Sequence, residues 1–153
     1  MMSISCRRWV LAAALLIRAA SLPAFAGLGA DADSIANDGL KMKGTVRVSS
    51  SDAYTVHEIQ TPSGTLVREY LTPAGKVFAV AWRGPTVPDL AQILGDYFKQ
   101  YSQAPRTHPS DHKHFAIVQP DFVLQASGRM RAFQGRAYIP GLVPQNAAAT
   151  AIQ

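Results

Sequence analysis

Three histidines close together in the chain are the residues best suited, by type and spacing, to bind a metal ion. They follow the pattern His108-x3-His112-x-His114, with Asp111 between them. Imidazole nitrogens bind zinc and copper, and on an extended chain His112 and His114 would point to the same side. The segment is polar and contains prolines, so two interpretations stay open: a metal site, or solvated histidines without a ligand.

Motifs of common hydrolases and nucleotide-binding enzymes are absent from the sequence. It contains no Gly-x-Ser-x-Gly elbow and no glycine-rich phosphate loop. A catalytic triad could be drawn from Ser110, His57 and Asp52, but their spacing gives it no support. The sequence therefore favours a protein that is not an enzyme and that carries no cofactor.

The positive charge of the chain is concentrated at its N-terminal end. Lys and Arg number 15 against 10 Asp and Glu. Arg7, Arg8 and Arg18 lie in the first 26 residues, which contain no acidic residue, and removing these three from the 15 leaves 12 basic against 10 acidic residues. The remaining basic residues are scattered rather than clustered, so we expect no nucleic-acid partner.

Residues 1–26 have the three parts of a bacterial export signal. Arg7-Arg8 ends a short basic start, Trp9–Ile17 is an apolar run, and Ala24-Phe25-Ala26 is a cleavage pattern. A membrane span needs about 20 apolar residues, so we expect cleavage after Ala26 and a periplasmic or secreted protein without a transmembrane segment. The general and the twin-arginine export routes both stay open. The single cysteine, Cys6, would leave with the signal, and the mature chain would have no disulfide.

Two identical turns predict antiparallel hairpins. Thr61-Pro62-Ser63-Gly64 and Thr72-Pro73-Ala74-Gly75 share the pattern Thr-Pro-x-Gly, which suits a type I turn. Residues rich in Val, Ile, Tyr, Phe and Trp predict seven strands: Thr45–Ser49, Ala53–Gln60, Thr65–Leu71, Lys76–Arg83, His114–Val118, Asp121–Ala126 and Met130–Ile139. An apolar stripe from Leu90 to Tyr101 predicts one amphipathic helix.

We therefore predict an α+β fold, an antiparallel sheet of about seven strands that begins with a meander and has one helix packed on it. Residues 27–42 are expected to be a flexible lead-in, residues 43–140 a single domain, and residues 141–153 a frayed tail.

Both faces of the predicted meander are apolar, if each turn closes its hairpin at the residues that flank it. The first face has large side chains: Tyr54, Val56, Val67, Glu69, Leu71, Phe78, Val80 and Trp82. The second collects smaller and polar ones: His57, Ile59, Leu66, Arg68, Tyr70, Val77, Ala79 and Ala81. One helix covers one face at most, and the alanines would let it sit close. The large-residue face then needs the C-terminal strands, a second subunit or a ligand as its cover, or the sheet itself curls or folds back so that both faces are internal.

Four residues of this meander are the candidate binding residues. Trp82 and Phe78 would be apolar anchors on the large-residue face, with Glu69 or Arg68 fixing the polarity of a ligand. Glu69 is expected opposite Val56 and beside Phe78. A carboxylate in such surroundings must find a partner or take up a proton, so we expect a structural ion pair, with ligand binding as the alternative.

A set of short motifs resembles one family of exported bacterial proteins. It comprises Val67-Arg68-Glu69-Tyr70, Pro73, Gly75, Val77-Phe78-Ala79-Val80-Ala81-Trp82, Gly84-Pro85, Pro88-Asp89-Leu90, Gly128, Arg131-Ala132-Phe133, Gly135-Arg136-Ala137 and Pro140. Over about Lys43 to Pro140 the chain is similar to the family named domain of unknown function 2844. The resemblance implies a small secreted or periplasmic protein and brings no activity, cofactor or catalytic residue with it.

Three functions remain open on the sequence alone. The first is a non-enzymatic envelope protein that binds another protein or a small ligand through its sheet. The alternative is a metal-binding protein or metal-dependent enzyme that uses His108, His112 and His114. The third is a structural subunit of an envelope assembly, found as a homo-oligomer or in a stable complex.

Overall fold

Two Thr-Pro-x-Gly turns join the strands of the first half of the sheet, as the sequence predicts. In each turn the glycine N–H donates to the carbonyl oxygen of the threonine, at 3.0 Å from Gly64 to Thr61 and 2.8 Å from Gly75 to Thr72. Both glycines have a positive φ, of 87° and 79°, which costs glycine less than any other residue. The turns therefore produce the antiparallel hairpins that we expect.

The computed structural model describes residues 27–105, 114–147 and 151–153. Its strands are β1 (Thr45–Ser50), β2 (Thr55–Gln60), β3 (Leu66–Leu71), β4 (Val77–Gly84), β5 (His114–Val118), β6 (Val123–Arg129) and β7 (Ala132–Tyr138). They form one antiparallel sheet in the order β1-β2-β3-β4-β7-β6-β5. The predicted α+β class and seven-stranded sheet are confirmed, and the C-terminal strands extend the sheet rather than cover it.

The register of the hairpin formed by β2 and β3 differs by one residue from the register that the sequence analysis assumes. Ile59 pairs with Val67, and His57 pairs with Glu69, because the turn glycine adds a residue to the connection. A one-residue shift moves every side chain of a strand to the opposite face. His57 and Ile59 therefore share a face with Val67 and Glu69, and the expected position of Glu69 opposite Val56 is wrong.

A β-bulge changes the second hairpin. Tyr70 pairs with Ala79, whereas Leu71 pairs with Val77, so Phe78 is the additional residue. Phe78 packs with Tyr70 and Ala79, and Val77 packs with Leu71. Phe78 thus leaves the face on which the alternating pattern placed it.

The predicted helix after β4 is present but interrupted. Asp89 caps α2 (Leu90–Leu94), its side chain accepting from two backbone N–H groups at 2.9 and 3.3 Å. Gly95 then adopts φ 53° and ψ −128° and ends the helix. A 3-10 turn (Gly95–Tyr97) leads into α3 (Phe98–Gln103). Among the described residues, no helix has the length and hydropathy needed to cross a membrane.

The segment expected to be a loose lead-in contains a helix, α1 (Asp33–Lys41). Ile35 is 1% exposed and packs in the main core. Just before the helix, the N–H of Leu28 donates to the carbonyl oxygen of Ile93 at 3.0 Å. The segment is rich in Gly, Ala and Asp, which gives little local signal, and a helix this short depends on such tertiary contacts.

The C-terminal end, expected to fray, returns to the sheet. After β7 the chain makes a 3-10 turn (Pro140–Leu142), and residues 151–153 lie against the opposite side of the sheet from the helices. Ile152 is 2% exposed and packs on Ala79 and Ala81. These small side chains leave room for one large aliphatic residue, which stabilises the position of the tail.

The two faces of the sheet are therefore covered by different parts of the chain. The helical face, covered by α1–α3, carries Ile59, Val67, Val80, Trp82 and Leu124. The tail face, covered in part by Val143 and Ile152, carries Tyr70, Phe78, Ala79 and Ala81. The expectation that the helix packs on the alanines is wrong, because the alanines accept the tail instead.

Candidate functional site

The two predicted apolar anchors lie in the core, on opposite faces of the sheet. Trp82 is 4% exposed and packs on the helical face, where its indole ring lies over Gly135 of β7. Phe78 is 1% exposed on the tail face. Its ring centroid lies 6.2 Å from that of Tyr54 and 6.1 Å from that of Tyr70. The structure therefore does not bring Trp82 and Phe78 together on one recognition surface.

Glu69 faces a second carboxyl group rather than a cation. It lies on the helical face of β3 and is fully buried, as is Asp38 of α1. No N–H or O–H donor of the described residues reaches either carboxyl oxygen of Glu69 or Asp38 Oδ2, so the two neighbouring carboxyl groups can satisfy each other only by sharing a proton. The side-chain amide of Gln92, in α2, donates to Asp38 Oδ1 at 2.6 Å. The expected ion pair of Glu69 is thus replaced by a carboxyl pair, Asp38 and Glu69.

The carboxyl pair requires a proton. Burial, together with the negative charge of Asp38, raises the pKa of Glu69 to about 8, and burial raises the pKa of Asp38 as well. Because the Gln92 amide stabilises the Asp38 carboxylate, Glu69 is the protonated member and donates its proton to Asp38. Both groups are inaccessible to solvent, so the pair connects α1 to the sheet and does not meet a substrate.

Polar side chains on the tail face form two rows across the sheet. The strand register aligns Glu58, Arg68, Ala81, Arg136 and Gln125 in the first row. The second row is Leu66, Arg83, Gln134, Ser127 and His114. Because residues two apart on a strand share a face, the rows lie side by side and bring three arginines to one surface.

A groove of about 650 Å³ follows these rows from β3 to β5. Its lining includes Arg68, Arg83, Arg136 and His114, together with the amide side chains of Gln125 and Gln134, and we call it the arginine groove. No aspartate or glutamate of the described residues lines it. Charges of one sign along a concave surface concentrate the potential there and attract ligands of the opposite sign.

The three arginines are held to different degrees. The Nε of Arg68 donates to Glu58 Oε2 at 2.8 Å, and two nitrogens of Arg136 donate to Gln125 Oε1 at 3.0 and 2.8 Å. The guanidinium group of Arg83, an exposed residue, has no hydrogen bond or ion pair with a described residue. A guanidinium group binds carboxylate or phosphate in a bidentate manner, so the groove combines two oriented cations with one that can turn towards a ligand.

The histidine cluster falls largely outside the part of the chain that the structure describes. His108 and His112 lie outside the described residues, and His114 begins β5 as an exposed side chain at the end of the arginine groove. Within residues 27–105, 114–147 and 151–153, no group of three or more His, Cys, Asp or Glu side chains could hold a metal ion. The metal site in the histidine segment therefore stays a prediction.

One protein-family model matches the chain over the whole of the described fold. It matches residues 24–152, which include every strand and helix described above. The chain belongs to the DUF2844 family. The family is described as a protein of unknown function, so membership supplies no activity. No curated protein and no solved structure matches the chain. The resemblance seen in the sequence is confirmed and extends beyond Lys43 and Pro140 at both ends.

Residues of the DUF2844 motifs have identifiable positions in this member. A Cβ atom on Gly135 would collide with the indole ring of Trp82, and one on Gly84 would collide with Thr65. Of the motif arginines, Arg68 and Arg136 line the arginine groove. The motifs thus include both close packing in the core and part of the candidate site.

Four residues of these sites are not among the candidate site residues selected from the sequence: Asp38, Arg83, Arg136 and Ile152. Along β7, Gln134 and Arg136 alternate with Phe133 and Gly135, and this alternation is a signal that could have assigned Arg136 to a polar face. The juxtaposition of Asp38 with Glu69 has no local signal, because it depends on how α1 packs on the sheet.

Proposed function

We propose that this DUF2844 member is an exported, non-enzymatic binding protein whose ligand site is the arginine groove. The ligand that suits the groove carries carboxylate groups or similar oxygen acceptors. Export is supported by the three-part signal in residues 1–26. Binding is supported by the arginine and amide side chains of the groove, which suit an anionic ligand. Ser127 and His114 also line the groove, and the Ser127 hydroxyl accepts from the side-chain amide of Gln134 at 3.2 Å.

One observation carries the proposal: Arg68, Arg83 and Arg136 lie in one groove that no acidic residue of the described chain lines. A guanidinium group with no acidic side chain beside it attracts an anionic ligand, whereas Arg68 already has Glu58 as its partner. Arg83 is the sharpest case, because it is exposed and its guanidinium group has no described partner. The proposal keeps Arg68 as a binding residue, and Trp82, although 4% exposed, also borders the groove, whereas Phe78 and Glu69 are buried and do not line it.

Isothermal titration of citrate and of inorganic phosphate into the exported, processed protein tests this site. We expect saturable binding that Arg83→Ala weakens at least fivefold. Arg129→Ala is the matched control, because Arg129 is also exposed but does not line the groove, and it should bind as the wild type does. Equal affinity in both variants, or no saturable binding of either anion, would refute the proposed site.

The metal alternative has its own test. Elemental analysis of protein exported and purified without an affinity tag would show stoichiometric zinc or copper if His108, His112 and His114 form a site. His114→Ala should then lower the metal content. Absence of stoichiometric metal from the wild type ends this alternative and leaves the arginine groove as the site.

A further inference from the structure

The end of the chain occupies one part of the arginine groove. Ile152 and Gln153 are among the residues that line the groove. The carbonyl oxygen of Gln153 accepts from Arg68 Nη1 at 2.7 Å, and that of Ile152 accepts from Arg136 Nη1 at 3.3 Å. Two of the three groove arginines are thus bound to main-chain oxygens of this segment.

The Tyr70 hydroxyl contacts main-chain groups of the same segment. It donates to the carbonyl oxygen of Gln153 and accepts from the N–H of Gln153, each at 3.1 Å. The N–H and C=O of one residue are therefore bound much as a neighbouring strand would bind them. None of these contacts uses the Gln153 side chain, so they do not depend on which residue stands there.

One aliphatic side chain completes the contact. Ile152 is buried against Ala79, Ala81, Tyr70 and Phe78. The alanines leave a shallow depression between larger aromatic side chains, and burial of an isoleucine there removes apolar surface from water. We call this depression, together with Arg68, Arg136 and the Tyr70 hydroxyl, the tail seat.

We propose that the arginine groove binds an extended peptide segment of another protein, and that Ile152–Gln153 occupy the tail seat as an intramolecular copy of that ligand. The inference rests on the proposed function and names its ligand class. Main-chain carbonyl oxygens are recognised by arginines and Tyr70, and one aliphatic side chain fills the depression. The groove continues past the tail to Arg83 on β4 and, across β7 and β6, to His114 on β5, so a longer peptide with an acidic residue fits it better than the tail does.

A fluorescein-labelled peptide with the sequence of residues 147–153, Ala-Ala-Ala-Thr-Ala-Ile-Gln, tests the inference by fluorescence anisotropy. We expect the exported variant Ile152→Ala to bind it at least tenfold more tightly than the wild type, whose own tail competes. Leu142→Ala is the control, since Leu142 is an aliphatic residue of the same tail outside the groove. A peptide with Asp in place of Ile should not bind.

A second measurement does not depend on a variant that might be unstable. In wild-type protein with labelled isoleucine methyl groups, a large excess of the peptide should displace the tail. The Ile152 methyl resonances should then lose the ring-current shift caused by Tyr70 and Phe78. Equal peptide affinity of Ile152→Ala and wild type, or no displacement of the methyl resonances, would overturn the inference. If citrate still binds in that case, the proposed anion site stands; if citrate also fails, both fall.

Discussion

At the scale of single residues, Glu69 shows how strongly burial sets the chemistry of a side chain. Its position in an apolar stretch predicts a partner or a proton, and the structure supplies both, since the partner is the Asp38 carboxyl group. With Gln92 donating to Asp38, the negative charge stays on one member and the proton on the other. The carboxyl pair thus stabilises the position of α1 only while Glu69 keeps its proton.

The pH dependence of stability should reveal that proton. The unfolded chain releases it near the ordinary pKa of 4.5, whereas the folded chain keeps it up to a pKa of about 8. The folded state therefore binds more protons between these values, so its stability is fully present below pH 4.5 and falls as the pH rises through 8. Glu69→Gln removes the titrating group, and urea unfolding at pH 5, 7 and 9 should show a flatter pH profile for this variant.

The amide of Glu69→Gln can donate to Asp38 as the protonated acid does, so we expect a loss within about 1 kcal/mol at pH 5 and a gain over the wild type at pH 9. Glu69→Ala is the control that leaves a cavity, and it should lose stability at every pH. If the free energy of unfolding changed with pH in the same way for the wild type and for Glu69→Gln, the protonated pair would be contradicted.

Gly135 occupies a position where the structure has no room for a side chain. A Cβ atom at this position would fall within van der Waals contact of the Trp82 ring, which is fixed in the core. We expect Gly135→Ala to destabilise the protein by about 1–3 kcal/mol in urea unfolding, since overpacked cores force side chains and backbone to shift. The matched control is Gly141→Ala, where nothing lies within 4 Å of the added atom. A neutral Gly135→Ala would mean that the indole ring does not lie there.

At the scale of elements, short sequence patterns predict the turns and strands whose formation depends on neighbouring residues. The Thr-Pro-x-Gly turns and the seven strands are all encoded within a few residues, and all are present. The sequence does not predict which side chains of β2 lie on the helical face. That choice depends on one left-handed glycine in the turn, which sets the register with β3. The exclusion of Phe78 from its expected face likewise depends on a bulge opposite Tyr70 and Leu71.

Helix α1 is an element that only tertiary packing explains. Its sequence has few strong helix formers, yet Ile35 is 1% exposed while Leu40 of the same helix is 78% exposed. We expect Ile35→Ala to cost about 2–5 kcal/mol, and Leu40→Ala to change stability by less than about 0.5 kcal/mol. Urea unfolding of both variants measures the difference. Similar, small effects would restore the interpretation of residues 27–42 as a flexible lead-in.

At the scale of the whole molecule, the two sides of the sheet differ in charge. On the helical side, a cleft of about 960 Å³ is lined by Asp31, Asp33, Asp96 and Asp121. The arginine groove lies on the other side, on the tail face. The balance of 12 basic and 10 acidic side chains over residues 27–153 gives no sign of this separation, because composition does not say which residues share a face. The candidate site could therefore not be derived from the sequence before the strand order was known.

Processing of the N-terminus tests the proposed export of the whole molecule. Mass spectrometry of the protein recovered from the periplasm or medium should give a chain that begins at Gly27. Replacement of Ala26 by Arg, a large residue at the cleavage position, should leave the precursor uncut. Recovery of a full-length chain from the membrane fraction of wild-type cells would instead support an uncleaved anchor.

The most direct measurement of the central claim follows the Nε–H resonances of the arginines during a citrate titration of the exported protein. If the arginine groove is the ligand site, the resonances of Arg83 and Arg136 shift saturably. Those of Arg47 and Arg129, which do not line the groove, stay in place. Equal shifts at all four arginines, or shifts at none of them, would contradict the claim that a ligand binds on the tail face.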